Sequence, residues 1–312
     1  MSAGAAIEII EVGPRDGFQM EKTFVPTELK IETIDRLARA GLKEIEATSF
    51  VHPRVVPQMR DAAEVMAGID RVPGVSYLAL VPNFRGAERA FDAGVDGLRV
   101  VVCVTETYNQ ANVGLSVAES LERFERIAEA GAARGVRADA VLGASLGCPF
   151  EGEVPIERVV QVARDFVASG SRSLGIADSA GLASPPQVRR LLGAVRDALP
   201  EIPLWLHLHD TRGLGMANAF AAIEMGITRF DTSLGGLGGC PVVVGAAGNI
   251  ATEETVYMCH EMGLSTGVDL DGVREASRGV QAFLDRTLPS RVLRAGTRDE
   301  LMAANARSSV HG

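Results

Sequence analysis

Between residues 7 and 234 the chain repeats one pattern: a short β-branched run, a turn, then an amphipathic stretch. Strand-like runs fall at 7–12 (IEIIEV), 43–49, 75–81, 97–103, 136–145, 172–178, 203–209 and 228–234, eight in all. Helical patterns such as TELKIETIDRLARAG and PIERVVQVARDFVASG lie between them, and many close on Ala-Gly, Ser-Gly or Met-Gly, as a helix C-terminus should. Eight strands with a helix after each predict a closed parallel (β/α)8 TIM barrel. A doubly wound open sheet is the alternative. It is disfavoured because the first strand runs into GPRDGFQ instead of a G-x-G-x-x-G turn, and no G-x-x-x-x-G-K-[ST] loop occurs. Further helical patterns predict additional C-terminal helices, a cap over about 250–286, with 287–312 a tail. No Pro-, Gly- or Ser-rich linker divides the chain, so 1–312 is expected to be a single domain.

The chain's 312 residues, 46% of them hydrophobic, can bury a sizeable core. A net charge of −9 argues against nucleic acid or an anionic membrane surface as partner. The four cysteines, Cys103, Cys148, Cys240 and Cys259, form no C-x-x-C pair, and no apolar stretch is long enough to span a bilayer. With a first strand that starts almost at once, leaving no room for a transit peptide, this points to a reducing cytoplasm. General frequency alone favours a homo-oligomer, a dimer.

In a barrel the reacting groups sit where strands end and βα loops begin. His207 and His209, in the run IPLWLHLHD, are two apart on one strand, so the pleat turns both imidazoles to the same side. One such histidine reads as a core residue bonded to backbone; two converging at a strand end read better as half of a metal site. At the same face the first strand ends in Arg15-Asp16-Gly17, the second carries Glu46, and the sixth ends in Asp178. Asp16 before Gly17 also suits a turn. Glu46 lies in an apolar strand and needs a partner, for which Arg15 is the candidate. Asp178 reads equally as a cap or turn former, and Asn249, before a helical run, as an N-cap. Cys240 follows GGLGG, a composition that permits a lid carrying a thiol to the mouth. Asp16, His207, His209 and Asn249 together offer two nitrogens and two oxygens, which leaves about two octahedral positions open and suits Mg²⁺ or Mn²⁺. The residues themselves reach as far as metal-assisted chemistry beside a carbonyl.

EVGPRDGFQMEK, ATSFVHPRVVPQM, SLGCPFEG, HLHDTRG and GGLGGCPVVVGAAGNIATEE carry a resemblance to the 3-hydroxy-3-methylglutaryl-CoA lyase family over about residues 7–285. The RDG and H-x-H pieces are shared with a wider superfamily; the GLGGCP loop and GCPFEG are more specific. The resemblance implies a metal-dependent barrel that cleaves an acyl-CoA thioester by a retro-Claisen reaction, giving acetyl-CoA and acetoacetate. It implies metal ligands at Asp16, His207, His209 and Asn249, Arg15 polarising the thioester carbonyl, and Cys240 as the proton-transfer group. Glu46 and Asp178 match acidic positions of the family's site. The family usually carries Leu at Phe18, Asn at Met20, Thr at Ala47 and Ser at His52. These departures are expected near the mouth, where they would reshape the acyl pocket and admit a citramalyl-CoA or a longer-branched 3-hydroxyglutaryl-CoA. A Claisen synthase is disfavoured by Phe18, where such enzymes typically have Glu, and a non-catalytic barrel by the presence of every matched functional residue.

Overall fold

The computed structural model describes residues 6–239, 243, 245 and 247–308. Eight parallel strands close in sequence order into a barrel: β1 Glu8–Glu11, β2 Glu44–Ser49, β3 Ser76–Leu80, β4 Gly97–Cys103, β5 Arg137–Gly143, β6 Leu174–Asp178, β7 Leu204–Leu208 and β8 Arg229–Thr232. The ring is sealed where β1 pairs with β8, Glu8 opposite Arg229 through Glu11 opposite Thr232. Each predicted strand is present, and boundaries differ by a residue or two.

Around the barrel lie α1 (Thr27–Arg39), α2 (Ala62–Gly68), α3 (Phe84–Asp92), α4 (Glu106–Val113), α5 (Val117–Ala132), α6 (Ile156–Ala168), α7 (Pro185–Ala198) and α8 (Gly215–Glu224). Their starts are written locally. Ser116 and Glu119 form a reciprocal capping box on α5, and Ser184 with Gln187 does the same on α7, where Pro185 occupies the first turn. Their apolar faces turn inward; α6 buries Val159, Val162, Ala163 and Phe166, the valines and the phenylalanine each worth roughly 1.5–3 kcal/mol on burial. After β8 come α9 (Thr252–Glu261) and α10 (Leu270–Leu284), followed by α11 (Arg291–Ala295) and α12 (Arg298–Ser308). The last two lie in the stretch read as a tail. In α12 the described side chains are exposed, so no inward apolar face marked it in the sequence. Among the described residues no helix is long and apolar enough to cross a membrane.

Two cores result. The larger fills the layer between strands and helices. The smaller, Ile10, Val12, Val141, Ala177 and Trp205, plugs the barrel's interior. Trp205 fits because β6 carries Gly175, where an added Cβ would stand 2.6 Å from the indole. Beneath that plug the interior is charged: Glu44 meets Arg137 and Arg229, and Arg229 also meets Glu8.

Candidate active site

GPRDG, read as a loop, forms a tight π-helical turn, Gly13–Gly17, that buries Arg15 and Asp16 at the C-terminal mouth of the barrel. Arg15 bonds to Asp16 through one guanidinium nitrogen and to Glu46 Oε2 through the other at 2.9 Å. Glu46 thus finds the partner its burial required. Burial works against the guanidinium's charge, but Asp16 and Glu46 outweigh it and hold Arg15 firmly cationic. Gln19 donates to Asp16 Oδ1 at 2.8 Å.

Asp16, His207 and His209 place one ligand atom each within 4.8 Å of one another, all three buried, and constitute a possible metal site. The imidazoles are oriented from behind. His207 Nδ1 lies 3.1 Å from Asp231 Oδ2, and His209 Nδ1 lies 3.0 Å from the Ala247 carbonyl oxygen. Both partners are acceptors only, so both Nδ1 atoms carry hydrogen and both Nε2 lone pairs point inward. Those Nε2 atoms stand 3.1 Å apart. Two bare lone pairs repel at that distance, so the geometry demands a proton or a cation between them. Burial, then the charge of its neighbour, depresses His209 to about 4. Burial also disfavours the cation on His207, yet the bond and charge of Asp231 overcome it and raise that group. Burial opposes ionisation of Asp16 too, but Arg15 and both imidazoles keep it below the ordinary carboxylate range.

Asn249 adjoins the cluster. It pairs with His209 across an antiparallel bridge, Ile250 N–H donates to Leu208 O at 2.9 Å, and Asp210 N–H donates to Gly248 O at 3.0 Å. It does not cap α9, whose N-cap is Ala251. Asn249 Nδ2 donates to Asp16 Oδ2 at 2.7 Å, and its Oδ1 is buried without a hydrogen-bond partner. Gly238 passes so close that a Cβ there would lie 2.6 Å from Asn249 Nδ2, and its φ of +122° also calls for glycine. The preceding turn is clamped by two buried carboxylates: Glu11 accepts from Gly13 and Leu234 N–H and from the Thr252 hydroxyl, and Glu253 accepts from Gly235 N–H and the Ser277 hydroxyl. Burial pushes Glu11 up to about 8 and Glu253 to about 7.

Asp178 is not one of the three converging side chains, but its carboxylate acts on His207 through charge and its carbonyl oxygen accepts the His209 N–H at 3.4 Å. Its oxygens accept from Leu182 N–H at 2.8 Å and Ala183 N–H at 3.0 Å, so its carboxylate shapes the loop after β6. Cys240 lies outside the described residues. A cavity of about 410 Å³ opens over the cluster, lined by Arg15, Asp16, Glu46, His207 and His209 and, farther out, by Val51, His52, Val55, Val56, Tyr108, Asn112 and Arg123. Of the four early departures only His52 lines it; Phe18 and Ala47 are packed in the outer core, which corrects their expected place near the mouth. On α4, in the stretch after β4, Asn109 is committed to Cys103 N–H, Leu115 O and the Ser120 hydroxyl, whereas Asn112 faces the cavity. Reading the sequence missed Gln19, Arg99 and Asp231, and only the alternation of inward positions on β4 and β8 marked the last two.

A family profile described as HMGL-like matches residues 6–280. The chain belongs to the hydroxymethylglutaryl-CoA lyase family. Mitochondrial hydroxymethylglutaryl-CoA lyase of Bos taurus is 42% identical over 289 residues, 93% of this chain and 89% of that protein. The crystal structure of the Bacillus subtilis HMG-CoA lyase superposes with a TM-score of 0.91 at 42% identity, covering 94% of this chain and 99% of that one. An Acinetobacter baumannii HMG-CoA lyase, solved in complex with coenzyme A and 3-methylmalate, superposes equally well, TM-score 0.91 at 41% identity over 94% and 96% of the two chains. Like these relatives, this family member is a carbon–carbon lyase.

Proposed function

We propose that this lyase cleaves 3-hydroxy-3-methylglutaryl-CoA to acetyl-CoA and acetoacetate in a metal-dependent retro-Claisen reaction. The observation that carries the reading is the pair of inward Nε2 lone pairs 3.1 Å apart beside ionised Asp16 and the unpartnered Oδ1 of Asn249. This donor set, two nitrogens and two oxygens with no thiolate, fits Mg²⁺ or Mn²⁺. When bound, such an ion supplies Lewis acidity to oxygens of the substrate. Arg15, pinned by Glu46, presents its guanidinium toward the thioester oxygen, where negative charge grows as the C–C bond breaks. The tertiary hydroxyl gives up its proton, the bond between the carbinol carbon and the methylene next to the thioester breaks, and that methylene takes a proton as the enolate collapses. Cys240 is assigned that second transfer. Asp178 contributes by shaping the β6 loop that carries Ser179 into the cavity. The three described cysteines, Cys103, Cys148 and Cys259, are buried, which suits the cytoplasm.

A second reading, a 3-hydroxyglutaryl thioester with a longer branch at C3, is favoured by the outer wall formed by Val51, His52, Val55 and Val56. A coupled assay of acetyl-CoA release from a panel of 3-hydroxyacyl thioesters, with and without chelator, tests both. Release that persists after metal removal would refute the metal-dependent mechanism; higher kcat/KM for the branched thioesters would select the second substrate.

A further inference from the structure

Asp231 sits on β8 directly across from His207, as the register of β7 and β8 dictates. Its Oδ2 accepts two bonds, from His207 Nδ1–H at 3.1 Å and from Trp205 Nε1–H at 3.2 Å. Its Oδ1 has no hydrogen-bond partner and faces Nη1 of Arg99 at 4.0 Å. Arg99 in turn lies 3.9 Å from the centre of the Trp205 ring and reaches Glu44 at 3.6 Å, and Glu44 is held by Arg229 at 2.9 Å. All of these side chains except Arg229, which is half-buried, are withdrawn from solvent. A ladder of alternating charge therefore climbs the inside of the barrel from its base to one imidazole.

We propose that Asp231 is a positioning residue for His207, and that Trp205 and Arg99 hold it in that duty. An ionised carboxylate in the barrel's interior is costly unless compensated, and Arg99 together with the indole N–H provides the compensation. Being an acceptor only, Asp231 permits one neutral tautomer of His207, the one that leaves Nε2 bare toward Asp16 and His209. An amide in its place cannot meet both demands. With its oxygen toward the two N–H donors, its NH₂ faces the Arg99 guanidinium; turned over, its NH₂ opposes both donors and drives His207 into the wrong tautomer.

The inference rests on the metal reading of the site for its affinity arm and stands without it for its tautomer arm. The full-length protein is titrated with Mn²⁺, followed by the EPR signal of the free ion, and the histidine tautomers are read from ¹⁵N NMR shifts of the imidazoles. Asp231→Asn is expected to weaken Mn²⁺ binding about 10- to 100-fold, the range found when such outer partners are removed, and to move the hydrogen of His207 from Nδ1 to Nε2. Trp205→Phe, which removes one donor and keeps an aromatic ring, is expected to weaken Mn²⁺ binding by a smaller factor while the melting transition stays cooperative. Wild-type affinity and an unchanged tautomer in Asp231→Asn overturn the proposal; should that variant not fold, wild-type affinity in Trp205→Phe overturns it. If the wild-type protein takes up no Mn²⁺ but the tautomer still switches in Asp231→Asn, the metal reading fails and the positioning role holds.

Discussion

Replacing Glu46 by Gln tests how much of the lyase's rate depends on a guanidinium being held still. Gln keeps the side chain's shape and an oxygen for Arg15 Nη2, now 2.9 Å away, but removes the charge that assists the bond. A hydrogen bond to a charged group contributes roughly 1.5–3 kcal/mol net, and because the guanidinium keeps its charge only part of this is lost from the bond itself. Glu46 Oε1 is buried with no partner, so an NH₂ placed there lacks an acceptor and adds a cost of about 1–3 kcal/mol. Part of that total falls on stability, below the roughly 3–5 kcal/mol that follows removal of one member of a buried pair, because an acceptor is retained. The part felt in the transition state, about 1.5–3 kcal/mol, corresponds to a loss of about 10- to 150-fold in kcat. In the proposed mechanism Arg15 meets charge that develops during bond cleavage, so KM should move little while kcat falls. Steady-state acetyl-CoA release at saturating metal measures the split, and a thermal melt confirms the fold. A folded Glu46→Gln enzyme with kcat within twofold of wild type would show that Arg15 does not need Glu46, and the account of the pair would be wrong.

Three further outcomes follow from the geometry. His209→Ala should abolish measurable Mn²⁺ binding and turnover together while its melting transition stays cooperative; retention of tight binding would remove His209 from the ligand set. Cys240→Ser should depress kcat by about 100-fold or more, the usual share of a positioned proton donor, with Mn²⁺ affinity unchanged; equal losses in both would point to damage to the metal site instead. Glu253 is raised to about 7 in the folded chain, chiefly by burial, so the fold keeps a proton that the unfolded chain has released. Its contribution therefore favours the fold below about pH 4.5 and is lost as pH rises to about 7, on the order of 3 kcal/mol. Glu253→Gln should flatten that segment of a stability-against-pH curve measured by denaturant melts, and superimposable curves would contradict the assignment.

The barrel was legible because its periodicities are strong: two-residue alternation and continuous β-branched runs mark the strands, and capped amphipathic stretches mark the helices. The convergence of the two imidazoles was legible for a related reason, since His207 and His209 share a face by strand geometry alone. The bland role weighed for Asn249, a helix cap, is instead taken by Ala251, whereas the turn-forming role weighed for Asp178 is what its two backbone bonds describe. Arg99 and Asp231 escaped notice because a charged residue pointing into a barrel interrupts the apolar signal by which strands are recognised, and its partner lies across the sheet. The π-helical turn at Gly13–Gly17 was hidden for want of any composition that distinguishes it from a loop, and α12 because its residues are exposed and carry no apolar stripe.

Asn249 is sewn to the end of β7, and Leu237, at the other foot of the glycine-rich segment, accepts the Asn249 N–H at 3.3 Å. The two feet of that segment are fastened to each other and, through the Asn249 side chain, to Asp16. Those bonds use groups of the feet themselves, so exchanging the residues between them leaves the donors and acceptors of the fastening unchanged. A protein engineer wishing to retune the chemistry has a short insert to vary and a foundation that stays put.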